Sequence, residues 1–181
     1  MQLGKWFSMT MFVLGMGMQT VLGQDAMVKH LRAQWEASRQ QMVDIAGAMP
    51  ADKFQYRPTP EVRGFGEIVV HFAGENMGMM EMVAGVPQTG ADARFEKLKT
   101  RQEILKALQE YFDFGAKVLV GLTDKQALES IPLRGEPSPR WLIVMQAIGH
   151  SKEHYGNLVT YLRLNGLVPP SSARRQPQSG S

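Results

Sequence analysis

Two histidines near the end of the chain, His150 and His154, stand four residues apart in the segment His-Ser-Lys-Glu-His. On an α-helix this spacing places both imidazoles on one face, with their Cβ atoms roughly 6 Å apart. From that face a single divalent metal ion can accept one nitrogen atom from each ring. The pair therefore raises the question of which residue supplies a third ligand.

We expect the face that carries these two histidines to lie in the protein core. With each residue advancing a helix by about 100°, one stripe of the last predicted helix carries Ile143, Ala147, His150, His154, Asn157 and Tyr161. Lys152 and Arg163 fall on the opposite side. Two separate core histidines, each satisfied by a backbone carbonyl, are one explanation. A shared metal ion satisfies two imidazoles on one buried face more economically.

The two remaining histidines differ in their surroundings. His30 is out of phase with the apolar positions of the first predicted helix, and we expect it at the surface. His71 stands between Val70 and Phe72 on the second predicted helix, where burial of an unpaired imidazole would be costly. Helical bundles commonly build metal sites from side chains on facing helices, so His71 is the natural third ligand.

Three histidines would leave coordination positions open for water or substrate, as in catalytic sites, whereas structural zinc sites usually have four protein ligands. Glu75 follows His71 by one helical turn. It would accept a hydrogen bond from a ligand, act as a base or complete the metal shell; a solvent-facing glutamate is the alternative. Gly74 and Gly78 place no side chain on the surface of this helix. Their absence either makes room for a ligand or permits close helix packing.

The elements that must position these side chains are predicted to be helices. Four stretches combine an apolar helical period with capping residues, glycines or prolines at their ends: residues 25–49, 65–84, 100–122 and 139–165. Asp25 is a plausible N-cap of the first, and Thr100 with Glu103 forms a capping-box pattern at the third. No segment alternates with the strand period for long enough to compete. The predicted fold is an all-α four-helix bundle.

The connections between these helices are predicted to be loops. Residues 51–64 and 123–138 contain several prolines and glycines. After Gly166, the prolines at positions 169 and 170 are expected to prevent the helix from resuming, and residues from 171 onward are expected to be disordered. The predicted domain therefore covers residues 24–172, with residues 173–181 as a tail.

Residues 1–23 have the layout of a secretory signal peptide. Lys5 is their only charge, residues 6–22 form an apolar, Met-rich run, and Val21-Leu22-Gly23 suits a cleavage site before Gln24. We therefore expect an exported protein, periplasmic or secreted. One alternative is an uncleaved anchor, because residues 6–22 are only just long enough to span a bilayer. A buried N-terminal helix is disfavoured by four glycines.

Composition excludes several classes of function. The chain has no cysteine, so disulfides, thiolate metal sites and cysteine nucleophiles are absent, and histidine, aspartate and glutamate remain as ligands. The formal net charge is +3, and removal of residues 1–23 takes away one lysine and leaves +2. Such a small, dispersed charge gives no indication of nucleic-acid binding. The length of 181 residues suits one domain with a sizeable core.

Two segments resemble a known family. The stretch Met-Pro-Ala-Asp-Lys-Phe-Gln-Tyr-Arg-Pro at residues 49–58, followed by Phe-Gly-Glu-Ile-Val-Val-His at residues 65–71, resembles the first half of the DinB-like (DinB/YfiT) metal-binding superfamily. Residues 150–166 with the prolines at 169 and 170 look like the closing motif of that family. The resemblance covers residues 25–172, and the Leu-Arg-x-Asn-Gly-x-x-Pro-Pro ending makes it fairly specific.

The resemblance implies a four-helix bundle with a three-histidine site for a divalent metal, whose ligands by position are His71, His150 and His154. Relatives include thiol-dependent S-transferases and an isomerase that uses a low-molecular-weight thiol, and the family name implies no DNA polymerase activity. Two features depart from the pattern. The predicted export contrasts with the chiefly cytosolic location of thiol cofactors, and Asn157 stands where many members carry glutamine.

These observations predict a divalent-metal-binding protein of the DinB-like type. An exported metal-dependent hydrolase or transferase is the first hypothesis, with Glu75, Asn157 and Tyr161 as candidates to orient or protonate a substrate. A non-catalytic envelope module that binds a metal or small ligand is the alternative, and a metal that only clamps two helices is a third. Three imidazoles suit zinc first, with nickel, iron or copper as alternatives. We expect a small-molecule ligand and no binding of nucleic acid. Membrane contact is expected only through the signal segment, and the oligomeric state, with a homodimer as one alternative, is left undecided by the sequence.

Overall fold

The computed structural model of the chain describes residues 26–175. The predicted signal peptide, the predicted cap Asp25 and the last six residues of the tail lie outside the described residues. Within the described range the elements are α1 (Ala26–Ala48), a 3₁₀ turn (Ala51–Lys53), α2 (Phe65–Ala84), α3 (Ala91–Phe95), α4 (Arg101–Gly121), α5 (Asp124–Leu128), β1 (Ser130–Leu133), β2 (Glu136–Pro139), α6 (Arg140–Leu164) and α7 (Pro170–Ala173).

Four long helices, α1, α2, α4 and α6, form the bundle. Each packs against two of the others: α2 against α4 and α6, and α1 against the same two helices. Their inward faces form one hydrophobic cluster, which includes the buried rings of Trp35, Phe72, Tyr111 and Phe112. The predicted four-helix bundle and the boundaries of its helices, to within a residue or two, are confirmed.

The α2–α6 pair is antiparallel, and this arrangement sets the position of the site. At one end, the Tyr161 hydroxyl near the end of α6 donates a hydrogen bond of 2.8 Å to the carbonyl of Arg63, just before α2. At the other end, Arg140 at the start of α6 donates through Nη1 to the carbonyl of Val83, near the end of α2, at 2.7 Å. Residues in the middle of both helices are therefore brought face to face.

Local capping explains where several helices begin. The Thr100 hydroxyl accepts a hydrogen bond from the backbone N–H of Glu103, and the Glu103 carboxylate accepts one from the Thr100 N–H, as the capping-box pattern predicted. The first turn of α1 is capped from a distance. Both carboxylate oxygens of Asp124, at the start of α5, accept hydrogen bonds from the backbone N–H groups of Met27 and Val28 at 3.0 and 2.8 Å.

Residues 123–138, which were predicted to form a loop, contain regular secondary structure instead. They contain the short helix α5 and an antiparallel hairpin of β1 and β2. Arg134 and Gly135 both adopt positive φ angles, of 53° and 89°, as a two-residue hairpin turn requires. The strands hold four residues each, too few for alternation to be visible in the sequence. A two-stranded sheet consists of edge strands alone, so it tolerates Pro132 and Pro137.

The C-terminal segment also differs from the prediction. Residues 170–173 form the short helix α7, although the two prolines were expected to prevent a helix from resuming. Pro170 occupies the first helical turn, where its missing N–H and fixed φ angle are favourable. The Tyr155 hydroxyl donates to the Ser171 hydroxyl at 2.7 Å and ties this helix to α6. A third short helix, α3, lies in the connection between α2 and α4 and was not predicted.

Among the described residues, none of the helices combines the length and the hydrophobicity needed to cross a bilayer.

Candidate metal centre

Three histidines meet between α2 and α6. His71 comes from α2, and His150 and His154 come from consecutive turns of α6. One potential ligand atom from each residue lies within 4.8 Å of the other two. The ring centroids are 4.6 Å apart for His150 and His154, and 5.4 and 5.1 Å for His71 with each of them. The structure thus brings together the three residues that helix phasing had selected, whereas His30 is exposed on α1.

The burial of the cluster is graded from the core outward. His154 is buried, with 7% of the residue exposed. The side chains of His71 and His150 retain 13% and 17% exposure, and that of Glu75 retains 47%. The cluster therefore has an apolar inner side and a hydrated outer side, so that a ligand from solvent can approach it.

His154 is held by aromatic packing and is uncharged at neutral pH. Its ring stacks on Phe72, with centroids 6.0 Å apart and an interplanar angle of 23°. Burial, followed by the proximity of His150, His71 and Arg63, lowers the pKa of His154 to about 4. The pKa of His150 is also lowered, chiefly by burial, although Glu75 acts in the opposite direction. Neutral imidazole is the form that binds metal ions.

Asn76 orients His150 from the core. Its side-chain amide is fully buried, and Nδ2 donates to the carbonyl of Ala147 at 3.0 Å and to the Ser151 hydroxyl at 3.1 Å. Because a carbonyl can only accept, this contact identifies Nδ2 and leaves Oδ1 facing Nδ1 of His150 at 2.9 Å. Nδ1 of His150 therefore carries the proton, and its Nε2 presents a lone pair to the cluster.

The two histidines of α6 are in direct contact. Their Nε2 atoms are 2.9 Å apart, and since His150 Nε2 accepts, His154 Nε2 donates. The Asn157 amide lies 3.4 Å from Nδ1 of His154 on the solvent side. A neutral histidine can carry its single proton on either nitrogen, so both rings can direct a lone pair at one cation.

Glu75 lies at the outer edge of the cluster. One carboxylate oxygen is 3.3 Å from Nδ1 of His71, and the other is 4.0 Å from Nε2 of His150. Glu75 was expected either to contact the histidines or to face solvent. Both hold, because its carboxylate lies beside the histidines and is half exposed. It supplies the negative charge nearest to the three rings.

Tyr161, near the end of α6, packs against the segment that precedes α2. Its hydroxyl proton is used in the hydrogen bond to the Arg63 carbonyl, and its ring packs edge-on against Tyr56 at a centroid distance of 6.1 Å. Burial raises the pKa of Tyr161. These contacts fix the loop before α2 against α6, with the exposed Arg63 side chain close enough to lower the pKa of His150 and His154.

Gly74 serves helix packing. A Cβ atom at this position would lie 2.6 Å from the Cα atom of Asp92, so the absent side chain lets α3 approach the backbone of α2. Of the two explanations offered for the glycines of this helix, close packing therefore holds at Gly74. Gly78 lies near the side chain of Gln88, also away from the histidines.

Two residues of the site, Asn76 and Arg63, were not predicted from the sequence. Asn76 lies between Glu75 and Met77 on α2, and its amide partners all belong to α4 or α6. The available signal was an uncharged polar residue next to apolar core positions of α2, where a buried amide must find partners. Arg63 is an exposed loop residue whose proximity depends on the Tyr161 contact.

The residues present fit a divalent metal ion. Three imidazoles converge within 4.8 Å, the pKa values of His150 and His154 are lowered by burial, and His150 is fixed in the tautomer that frees Nε2. Histidine ligands oriented by an amide or carboxylate partner are typical of protein metal sites. The donor set suits zinc, nickel, iron or copper and does not distinguish among them.

Comparison with known proteins agrees with this fold. The chain is similar to a DinB-like protein from Bacillus cereus ATCC 10987, with a TM-score of 0.67, 15% sequence identity, and coverage of 78% of this chain and 95% of the other. It is also similar to a DinB-like protein from Bacillus subtilis, with a TM-score of 0.62, 18% identity, and coverage of 76% and 92%. At these identities the likeness shows the fold alone. No curated protein matches the chain significantly.

A family model gives the family directly. The model described as "DinB family" matches residues 18–178, nearly the entire chain. The match includes α2 and α6 and therefore all three histidines of the cluster. The resemblance inferred from the motifs is confirmed, and the chain belongs to the DinB family.

Proposed function

We propose that this protein is a divalent-metal-dependent enzyme, a hydrolase or a transferase, that acts on a small molecule at the outer side of the histidine cluster. The observation that supports this most directly is the asymmetry of the cluster: three imidazoles on the inner side, and a half-exposed carboxylate on the outer side. A purely structural site is usually closed by a fourth protein ligand, whereas here the outer side is accessible.

The metal would be held by His71, His150 and His154, and when bound it would supply Lewis-acid polarisation of a substrate oxygen or sulfur atom. Asn76 fixes His150 in the required tautomer through the 2.9 Å contact with Nδ1. Asn157 lies against Nδ1 of His154 and limits the rotation of that ring.

Glu75 is the residue we assign as general base. Its carboxylate is 3.3 Å from His71 and half exposed, so it can both contact the cluster and accept a proton from a substrate. Tyr161 is assigned a positioning role, because its hydroxyl proton is used by the Arg63 carbonyl. The positively charged Arg63 side chain, which is close enough to lower the pKa of His150 and His154, favours a substrate that carries negative charge.

Glu75→Gln tests the enzymatic proposal. The variant should retain wild-type metal content, because the three histidines are unchanged, while its turnover of a thiol, ester or amide substrate should fall about a hundredfold or more. Glu153→Gln is the matched control on α6, since Glu153 is exposed and lies near His150 without contacting it. Metal binding by the wild type with no turnover of any of these substrates would instead favour the non-catalytic binding module.

A structural role for the metal is the second candidate, because the ligands come from two helices and a bound ion would cross-link α2 to α6. Metal depletion distinguishes the two roles. For an enzyme we expect a modest decrease in melting temperature and complete loss of turnover. A collapse of the fold on depletion, with no turnover before it, would support the clamp.

We further propose that the protein is exported, with residues 1–23 as a cleaved signal peptide. The support is the charged start, apolar run and small-residue end of this segment. Intact-mass measurement of the protein from a cell-envelope fraction should give a chain that begins at Gln24. A mass that includes residues 1–23 in a membrane fraction would support the anchor instead.

A further inference from the structure

A cavity lies at the end of the bundle away from the histidines. It has a volume of about 410 Å³ and is formed by the ends of α2 and α4, the start of α5 and the first residue of α6. Ten residues of α6 separate Arg140, in this cavity, from His150, which corresponds to about 15 Å along the helix axis. The cavity is therefore distinct from the metal centre, and its volume is within the range of small-molecule sites.

Most of its wall is apolar. The side chains of Val83, Val86, Phe114, Val118 and Leu122 line it, and Val86 is 44% exposed. An accessible apolar surface in a concave site favours an apolar ligand group over water.

Arg140 adds a partly compensated positive charge to this wall. Its Nη1 donates to the Val83 carbonyl at 2.7 Å, while Nη2 is 3.8 Å from the Glu129 carboxylate, beyond hydrogen-bond distance. Nε is buried and has no hydrogen-bond partner among the described residues. Most of the guanidinium N–H groups thus lack an acceptor within residues 26–175, which is costly for a side chain that is only 20% exposed.

Lys117 is the second cation in the cavity wall. It makes no hydrogen bond or ion pair within residues 26–175, and none of the cavity-lining residues is acidic. Glu129 balances one of the two positive charges from outside the cavity, so a single positive charge is left. A ligand with one negative charge and an apolar body would complement both the charge and the walls.

We propose that this cavity binds a small amphipathic carboxylate, such as a medium-chain fatty acid. The carboxylate lies against Lys117 and Arg140, and the hydrocarbon chain packs along the valines and Phe114. A dianionic phosphate would exceed the available positive charge, and a short carboxylate would leave the apolar walls uncovered.

Octanoate binding to the full chain, measured by isothermal titration calorimetry after treatment with chelator, tests this proposal. Chelation removes metal from the histidine cluster, where a carboxylate would otherwise also bind. We expect saturable one-to-one binding of octanoate. Acetate, which lacks the chain, and 1-octanol, which lacks the charge, should each bind at least about tenfold more weakly.

Substitution of Lys117 locates the site. Lys117→Gln should weaken octanoate binding about tenfold, the effect of losing one charge-assisted contact, and Lys117→Arg should restore it. Lys106→Gln is the matched control, because Lys106 is also exposed on α4 but does not line the cavity. Both positions are at the surface, so circular dichroism should show unchanged folding of all three variants.

Three results would overturn the proposal. They are the absence of saturable octanoate binding to the folded wild type, equal affinity for 1-octanol, and an affinity that is unchanged by Lys117→Gln. Binding that disappears in His150→Ala but not in Lys117→Gln would place the ligand at the histidine cluster and would equally reject this cavity.

Discussion

At the residue scale, the candidate metal centre depends on Asn76 as well as on its three histidines. The buried amide connects α2 to Tyr111 on α4 and to Ala147, His150 and Ser151 on α6. The two N–H groups of Nδ2 serve Ala147, Ser151 and, at the longer distance of 3.4 Å, Tyr111, while Oδ1 faces Nδ1 of His150. Asn76 therefore stabilises the bundle and selects the tautomer of His150 at the same time.

Asn76→Ala should lower both stability and metal affinity. Loss of a satisfied buried amide is expected to cost about 2–3 kcal/mol of unfolding free energy, because polar partners on α6 are left unpaired. Loss of the group that orients a ligand should weaken metal binding about 10–100-fold. Denaturant unfolding and metal titration, the latter well below the melting temperature, measure the two effects separately.

Asn157→Ala is the control for this prediction. Within residues 26–175 the exposed amide of Asn157 makes one contact, at 3.4 Å with His154, so the stability should change by less than about 0.5 kcal/mol. Equal losses of stability in the two variants would show that the Asn76 network is not what holds α2 and α6 together.

His154 makes the stability of the metal-free protein depend on pH. Its pKa is lowered from the ordinary value of 6.5 to about 4 in the folded state. Between these two values the unfolded chain binds more protons than the folded one, so the free energy of unfolding decreases as the pH is lowered from about 6.5 toward 4. The stabilisation is fully present only above about pH 6.5.

Chelator-treated His154→Gln should show a smaller loss of stability across this pH range in thermal or denaturant unfolding. Part of the dependence should persist, because the pKa of His150 is lowered as well. His30→Gln, at an exposed position, should behave as the wild type. A His154→Gln variant with the wild-type pH dependence would contradict the assignment of this titration to His154.

At the element scale, Trp35 and Gly115 fix the packing of α1 against α4. Trp35 is 1% exposed, its Nε1 donates to the Phe112 carbonyl at 3.1 Å, and its ring contacts Tyr111 and Phe112 edge-on. A Cβ atom at Gly115 would lie 2.0 Å from Cζ2 of this ring. The indole is held on several sides, so it cannot move away without disturbing the core.

Gly115→Ala should therefore destabilise the protein by about 3 kcal/mol, at the upper end of overpacking effects. Gly149→Ala is a matched substitution on α6, where a Cβ atom would meet nothing within 4 Å. It should stabilise the helix by about 0.5–1 kcal/mol. Thermal unfolding of the two variants should give shifts of opposite sign, and shifts of the same sign would refute the packing described for Trp35.

The success of sequence-based prediction differed among elements for physical reasons. The long helices carry a 3.6-residue apolar period over many turns, and Thr100 with Glu103 marks a boundary through local hydrogen bonds. The hairpin and α7 are too short to show a period. The Asp124 cap on α1 joins residues far apart in the chain, so no local pattern could reveal it.

The candidate site, like the fold, was predictable only where the signal is local in the sequence. The phase of His150 and His154 on one helix, and the apolar neighbours of His71, were sufficient to select all three histidines. The register between α2 and α6 was not available from the sequence, because it is set by long-range contacts such as Tyr161 with Arg63. That register decides which residues, Asn76 among them, stand beside the histidines.

At the scale of the whole molecule, the histidine cluster lies between the antiparallel helices α2 and α6, and the cavity at Arg140 lies among the ends of α2 and α4 and the start of α6. A metal bound by His71, His150 and His154 joins the two helices, so binding must also stabilise the folded state. At a free metal concentration of one hundred times the dissociation constant, the expected stabilisation is about 2.7 kcal/mol.

The metal content of the purified protein tests the central claim most directly. Elemental analysis of the wild type, purified without chelator, should give about one equivalent of a divalent metal per chain, and His30→Ala should give the same. His71→Ala, His150→Ala and His154→Ala should each lose most of it while circular dichroism shows that they are folded. A folded wild type without bound metal, even after incubation with zinc, nickel, iron or copper, would contradict the claim, as would full metal content in the three variants.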